Sequence, residues 1–327
     1  MTEVYNWGFV GSGWMARAMA ADLAAVPGCV VHSVVARTAE SAAAFGRDFK
    51  VRRYAALDEM LADDGVDIVY VNSPNHVHYP QVRQALEAGK SVLCEKPFTL
   101  NAAQLAELIE LARAKGLFLM EAMWVRYLPA VARLRQVLAE KAIGDLQWMQ
   151  ASFHSNPPKV ANNRFYDLAM GGGALMDLGI YPISFASLIF GSAPQRIQSS
   201  VTLAETGVDE RFAAIFDYAG GGQASISAGF SGYFEDEIVL LGSEGKVRVP
   251  RSGGWKMNRL VIERKGEVED LQLPVDGRGY GYQASEVVRC LEASLLESPV
   301  MPLDESLAIM KTLDDLRAQW GVEFPGE

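Results

Sequence analysis

Cysteine is scarce: Cys29, Cys94 and Cys290 are the only three, odd in number and far apart. They read as reduced thiols of a cytoplasmic protein, which excludes a disulfide frame. Long apolar runs are missing too. The longest, ALMDLGIYPISFASLIFG, is broken by Asp177 and Pro182. It falls short of the roughly 20 uninterrupted apolar residues of a membrane span, so no membrane partner is expected. The start, MTEVYNWGFVGSG, lacks a basic region, an apolar core and a small-residue cleavage site, so no secretory signal is expected. Basic excess is absent: 30 Lys and Arg stand against 40 Asp and Glu, a formal charge of −10, which argues against nucleic acid as a partner. An anionic small molecule stays open, because a glycine-rich loop and one arginine can hold a phosphate whatever the net charge. The four histidines and scattered cysteines show no metal-ligand spacing, so no metal is expected. Repeats and low-complexity tracts are also lacking.

What is present is length and alternation. At 327 residues, half of them hydrophobic, the chain implies two domains. Residues 1–122 alternate short β-branched runs with Ala-rich helical stretches, ending at LFLMEA. This pattern predicts an α/β Rossmann domain, a parallel doubly wound sheet with helices on both faces. Thr38 and Asn101 are placed to cap helices, and Gly89 to end one. Residues 123–327 differ. FAAIFDY and ASISAGFS alternate in period two, putting Phe212, Ala214, Phe216, Ile226, Ala228 and Phe230 on one face. IVLLGSEGKVRVP reads as a hairpin turning at Gly242–Gly245, and two helical stretches close the chain. This predicts an α+β domain with a large, mostly antiparallel open sheet. Helices would cover one face, and the other would serve a homodimer or larger homo-oligomer.

Four segments carry chemistry. Gly11-Ser12-Gly13-Trp14-Met15-Ala16 is a G-x-G-x-x-A between strand and helix. The first glycine permits a tight turn, the second a close approach to pyrophosphate, and the small third residue close helix packing. Phosphate would face the helix N-terminus; a flexible loop is the plain alternative. The second strand ends at Arg37-Thr38, without the acid that would accept from NAD ribose hydroxyls. Arg37 could pair with a 2′-phosphate, favouring NADP over NAD, or be an ordinary exposed arginine. SVLCEKPFTLN puts Glu95-Lys96-Pro97 at the carboxyl end of a parallel strand, the edge where such sheets bind ligands. NSPNHVHY brings Ser73, Pro74, Asn75, His76 and His78 there as well. A solvated strand exit and a hydrogen-bonding surface would explain these equally. GGGALMDLGIYP places Asp177 and Tyr181 on one helical face, where Pro182 should cause a kink. They read either as a cap and a core ring or as an acid/base pair. A phenol titrates near about 10, and a neighbouring lysine would lower that.

In this order, and over nearly the whole chain, the motifs resemble the Gfo/Idh/MocA oxidoreductase family. The resemblance is strongest to its dihydrodiol dehydrogenase and NADP-dependent D-xylose dehydrogenase branch, through VLCEKPFTLNAAQ, GLFLMEAMWVRYLP, GGGALMDLGIYP and GYGYQASEVVRCLEASLLESPVMPLDESL. It implies Lys96 as the catalytic lysine, Tyr181 as the acid/base and Asp177 as its companion, with Lys96-Pro97 often cis. It also implies nicotinamide at the edge of Ser73, Pro74, Asn75, His78, Glu95, Lys96 and Pro97. Substrate walls would come from Trp124, Arg126, Phe153, Arg164, Trp255 and Tyr280, suiting an aldose or a cyclic trans-dihydrodiol. The pair Asn72-Ser73 departs from the threonine or serine pair common in the family. The implied activity is an NADP-dependent dehydrogenase. A keto- or anhydro-sugar reductase, or an aldose–aldose oxidoreductase that retains its cofactor, is the enzymatic alternative. A non-catalytic NADP-binding regulator is a further one, which should have lost the lysine or the tyrosine.

Overall fold

The structure, a computed structural model, describes residues 4–160, 163–191, 193–230, 232, 236–251 and 256–327. Two compact units emerge: Met1–Tyr127 with Asp276–Ser306, and Leu128–Val275 with Leu307–Glu327. This differs from a single boundary at 122/123. Residues 123–127 and a distant return segment pack with the first unit, a long-range pairing that no local pattern announces.

The first unit holds β1 (Tyr5–Val10), α1 (Trp14–Leu23), β2 (Cys29–Val35), α2 (Ala39–Phe49), β3 (Arg52–Tyr54), α3 (Leu57–Leu61), β4 (Ile68–Val71), α4 (His78–Glu87), β5 (Ser91–Glu95), α5 (Ala102–Lys115) and β6 (Leu119–Ala122). Its six strands are parallel in the order β3-β2-β1-β4-β5-β6. β1 and β4 are therefore neighbours although the chain winds away from β1 in opposite directions, and ligands of such sheets bind at that reversal. Burial drives the assembly: Trp7, Phe9, Tyr70, Val69 and Leu93 are wholly enclosed. Helix starts follow the sequence. Thr38 Oγ1 accepts from the Ser41 N–H at 3.2 Å, and Asn101 Oδ1 from the Gln104 N–H at 2.9 Å.

The second unit holds α6 (Pro129–Ala139), β7 (Leu146–His154), a π-helical turn (Leu175–Gly179) leading into α7 (Ile180–Phe190), then β8 (Arg196–Leu203), β9 (Asp209–Asp217), β10 (Gln223–Gly229), β11 (Glu237–Gly242), β12 (Gly245–Pro250), β13 (Arg259–Arg264) and β14 (Glu267–Gln272). Eight strands run in the order β14-β13-β12-β11-β7-β10-β9-β8, antiparallel except for the β7–β10 pair. Phe212, Ala214, Phe216, Ile226 and Ala228 are buried on one face, as the alternation predicts, and the apolar α7 packs there. The opposite face carries exposed Arg211, Ala213, Gln150 and Arg248. Pro182 lacks the N–H that would bond to the carbonyl of Leu178, and the helix accommodates this with the π turn just before it. The helical stretch 168–190 is long and apolar enough to cross a membrane, but 72% of its most apolar window is buried, so it is a core helix. The chain closes with α8 (Gly281–Glu292), packed on α1, and α9 (Leu303–Trp320).

Candidate active site

The turn after β1 is built for close approach. Gly11 has φ +113°, and a Cβ there would lie 2.6 Å from Asn72 Oδ1, so only glycine fits. At Gly13 a Cβ would meet nothing, so the space above it is open. Gly13 caps α1 without a side-chain hydrogen bond, and the first turn carries no acid. The helix thus presents backbone N–H groups and a positive dipole end to whatever approaches, whereas α2 and α5 satisfy theirs with Thr38 and Asn101. Ser12 and Met15 are half-buried, and Trp14 is 63% exposed. Arg37 is exposed just past β2, and among the described residues it forms no salt bridge. The site fits a dinucleotide phosphate.

The carboxyl ends of β4 and β5 form the same edge. Lys96 is half-buried and its peptide bond to Pro97 is cis, as the resemblance implies. Glu95 is buried and accepts from the Tyr70 hydroxyl at 2.5 Å, so it is tied inward. Burial and the Glu95 carboxylate hold the Tyr70 phenol well above its ordinary value, which keeps it a donor. Ser73 Oγ donates to Gln81 Oε1 at 2.5 Å, and Pro74 is half-buried beside buried Asn75. His78 differs from its expected role: its ring is fully buried, with both nitrogens 2.8 Å from backbone carbonyls. It braces the edge instead of presenting a surface.

Beneath the edge, on β6, lies a carboxyl the sequence did not single out. Burial pushes Glu121 up to about 7, with nearby Glu95 adding to the effect and Ser306, the Phe98 backbone and Arg126 opposing it. A raised acid contributes stability fully present below its unfolded value, near about 4.3, and lost as pH rises through 7. Glu121→Gln should therefore gain on the parent above pH 7, by up to about 3 kcal/mol, and gain little at pH 4. Chemical denaturation at the two pH values measures this; an equal difference at both would place the carboxyl's titration elsewhere.

The aromatic candidates of the first unit do meet. Trp124 and Tyr280 rings lie 4.9 Å apart, Trp14 stands edge-on to Tyr280 at 6.4 Å, and Arg278 covers Trp14 at 5.4 Å. Asp22 at the end of α1 anchors this loop by accepting the N–H groups of Arg278 and Tyr280, both at 2.9 Å. Arg126 is a departure. It is fully buried and paired with Glu305 at 2.6 Å, which accounts for its charge without a substrate.

In the second unit Tyr181 is buried on α7 and stacks on Phe153 at 5.4 Å and 18°. Phe153 thereby supports the tyrosine ring. Asp177, one turn earlier, pairs with Arg164 at 3.5 Å. Three residues that the sequence did not flag flank them. Asp236 is wholly buried, pairs with Arg251 at 2.5 Å, and accepts from the His154 N–H at 3.0 Å. Arg251 covers the Phe153 ring at 5.6 Å. Burial pushes the Arg251 guanidinium down, while Asp236 and Tyr181 oppose that shift. These residues come together only through the strand order β12-β11-β7. Trp255 lies outside the described residues. Among the described residues no group of three His, Cys, Asp or Glu side chains is arranged to hold a metal.

A reversing parallel sheet with a glycine turn at its switch point, a lysine at the same edge, and a second unit with an open sheet define an oxidoreductase of the Gfo/Idh/MocA family, to which this chain belongs. Residues 5–123 match the model of the oxidoreductase family with an NAD-binding Rossmann fold, and 131–248 match the GFO/IDH/MocA C-terminal domain. The chain is similar to trans-1,2-dihydrobenzene-1,2-diol dehydrogenase of Mus musculus, 35% identical over 98% of both chains. The Xenopus tropicalis enzyme of that name is 34% identical, over 98% of this chain and 99% of the other. Among solved structures, a 3-ketoreductase from Actinomadura kijaniata in complex with NADP and TDP-benzene superposes with TM-score 0.85. It is 26% identical, over 97% of this chain and 98% of the other. An aldose–aldose oxidoreductase from Caulobacter crescentus, 20% identical over 98% of both chains, shares the fold with TM-score 0.89.

Proposed function

We propose that the protein is an NADP-dependent dehydrogenase acting on a hydroxyl-bearing ring carbon of an aldose or a cyclic trans-dihydrodiol. The observation that carries this reading is the uncapped start of α1 behind Gly11–Gly13, at the edge where β5 delivers Lys96. Gly11–Ala16 hold the pyrophosphate, Arg37 the 2′-phosphate, and Ser73–Asn75 with Lys96 and Pro97 flank the nicotinamide. Bound NADP supplies the acceptor or donor of hydride. The Lys96 ammonium stabilises the alkoxide that develops on the substrate. Tyr181 exchanges the hydroxyl proton, held by Phe153 and flanked by the Asp177–Arg164 pair. The names of the dihydrodiol dehydrogenase relatives favour a diol, and the 3-ketoreductase favours a ketone handled in the reductive direction. The exposed sheet face, with Trp148, Val239 and Leu241 among its polar residues, is proposed as the interface of a homodimer.

The test is a panel of aldoses, lactones and cyclic diols with NADP or NAD, read by the absorbance of reduced nicotinamide. No turnover with any member and no NADP binding would refute the reading. Arg37→Asp should move the ratio of specificity constants toward NAD by at least about tenfold. It removes a phosphate partner and adds repulsion against the 2′-phosphate. An unchanged ratio would put that phosphate elsewhere.

A further inference from the structure

His78 opens α4 with its ring wholly enclosed. Nδ1 lies 2.8 Å from the carbonyl oxygen of Pro97, and Nε2 lies 2.8 Å from that of Ser73. Carbonyl oxygens accept and cannot donate. Both contacts are hydrogen bonds only if both ring nitrogens carry hydrogen. The two segments so joined are the ones leaving neighbouring strands. The β4–β5 ladder ends at the Val71–Cys94 pairing. Past that point Ser73 continues from β4, while Pro97 directly follows Lys96 on the turn leaving β5. His78 bridges the two where the ladder has stopped. Ser73 is also moored to α4 through Gln81, so the bridge ties both turns to one helix.

We propose that His78 is a positioning residue that donates from both nitrogens, pins the Lys96–Pro97 turn to the end of β4, and so fixes the origin of the Lys96 side chain. This rests on the reading of Lys96 as the charged group of the reaction. The elements around His78 carry Tyr70 on β4, Cys94 and Glu95 on β5, Lys96 on the turn, His76 before the helix, Glu107, Glu110, Arg113 and Lys115 on α5, and Tyr79, Arg83 and Glu87 on α4 itself, with Arg83 paired to Glu87 and Glu107. Enclosure of the ring and the Lys96 charge oppose a second proton, and the two carbonyl acceptors, one on each nitrogen, favour it.

Two measurements test the proposal. Nitrogen-15 imidazole spectra are tractable with four histidines. At neutral pH they should show both His78 nitrogens protonated; the paired shifts of a neutral tautomer would overturn the proposal. In kinetics, His78→Gln should leave NADP affinity and KM within about twofold and lower kcat roughly tenfold to a hundredfold, the penalty of a displaced catalytic group. In the Lys96→Met background the same substitution should cost less than about twofold, because there is no ammonium left to misplace. An undiminished loss in that background, or a parent-like kcat for His78→Gln, would overturn the positioning role. Should His78→Gln fail to fold, the spectra of the intact chain decide. Full turnover by Lys96→Met would instead refute the catalytic reading, an outcome separate from the protonation of His78.

Discussion

Replacing Tyr181 by phenylalanine should lower turnover by about 10²–10⁴-fold, the usual range of general acid–base assistance, with NADP affinity unchanged. The argument turns on what the substitution spares. The ring keeps its stack on Phe153, and Arg251 stays over the opposite partner of that stack with its carboxylate Asp236. Packing is conserved and only the hydroxyl is lost. The pH dependence of oxidation should change as well: the limb on which the rate rises as the phenol deprotonates should vanish in the variant. Stopped-flow rates across pH, with melting temperature as a control, provide the check. A variant that keeps both rate and limb would move the proton to Lys96 or Asp177.

Lys96→Met should bind NADP nearly normally yet lose most of its turnover, by about 10²-fold or more. It removes a positive charge at the site where negative charge develops, an effect worth about 3–4 kcal/mol when a comparable preorganised donor is deleted. It touches no group of the Gly11–Ala16 turn, so the pyrophosphate contacts stay. Methionine keeps much of the stem length, and Glu95 is anchored independently by Tyr70, so the turn has no new unpaired carboxylate to bury. Fluorescence titration of NADPH separates binding from chemistry. Turnover within about threefold of the parent, under 1 kcal/mol of barrier, would make Lys96 a structural residue.

Much of the first unit was legible because its signals are local. A glycine pair between strand and helix and the caps Thr38 and Asn101 each depend on a few adjacent residues, as do the period-two faces of β9 and β10 in the second unit. The segments β3 and α3 escaped because three and five residues carry too little periodicity. The surface strand β14 escaped because its residues are largely exposed. Among site residues, the sequence placed Lys96 and the Ser73–His78 loop at one sheet edge, where the fold also has them, but could not say which way each faces. His78 and Arg126 were read as ligand contacts on type and position, yet the fold gives one to two carbonyls and the other to Glu305. The Asp236–Arg251–His154 group depends on three strands adjacent in space and distant in the chain, so sequence spacing carries no trace of it. Pro182 did signal a distortion, but it took the form of a π turn upstream of the proline.

The return of Asp276–Ser306 to the first unit means the gene cannot be divided where its texture changes. A fragment ending at residue 127 would lack α8, and with it the cover over α1 and the loop that seats Tyr280 beside Trp14. Three backbone junctions join the units, at 127/128, 275/276 and 306/307, the last of them within α9. A chimaera that borrows the nucleotide half of a relative must therefore carry two separate inserts and match three seams. Recombination at a single point would leave both halves with an exposed core, so the two units are expected to be inherited as a pair.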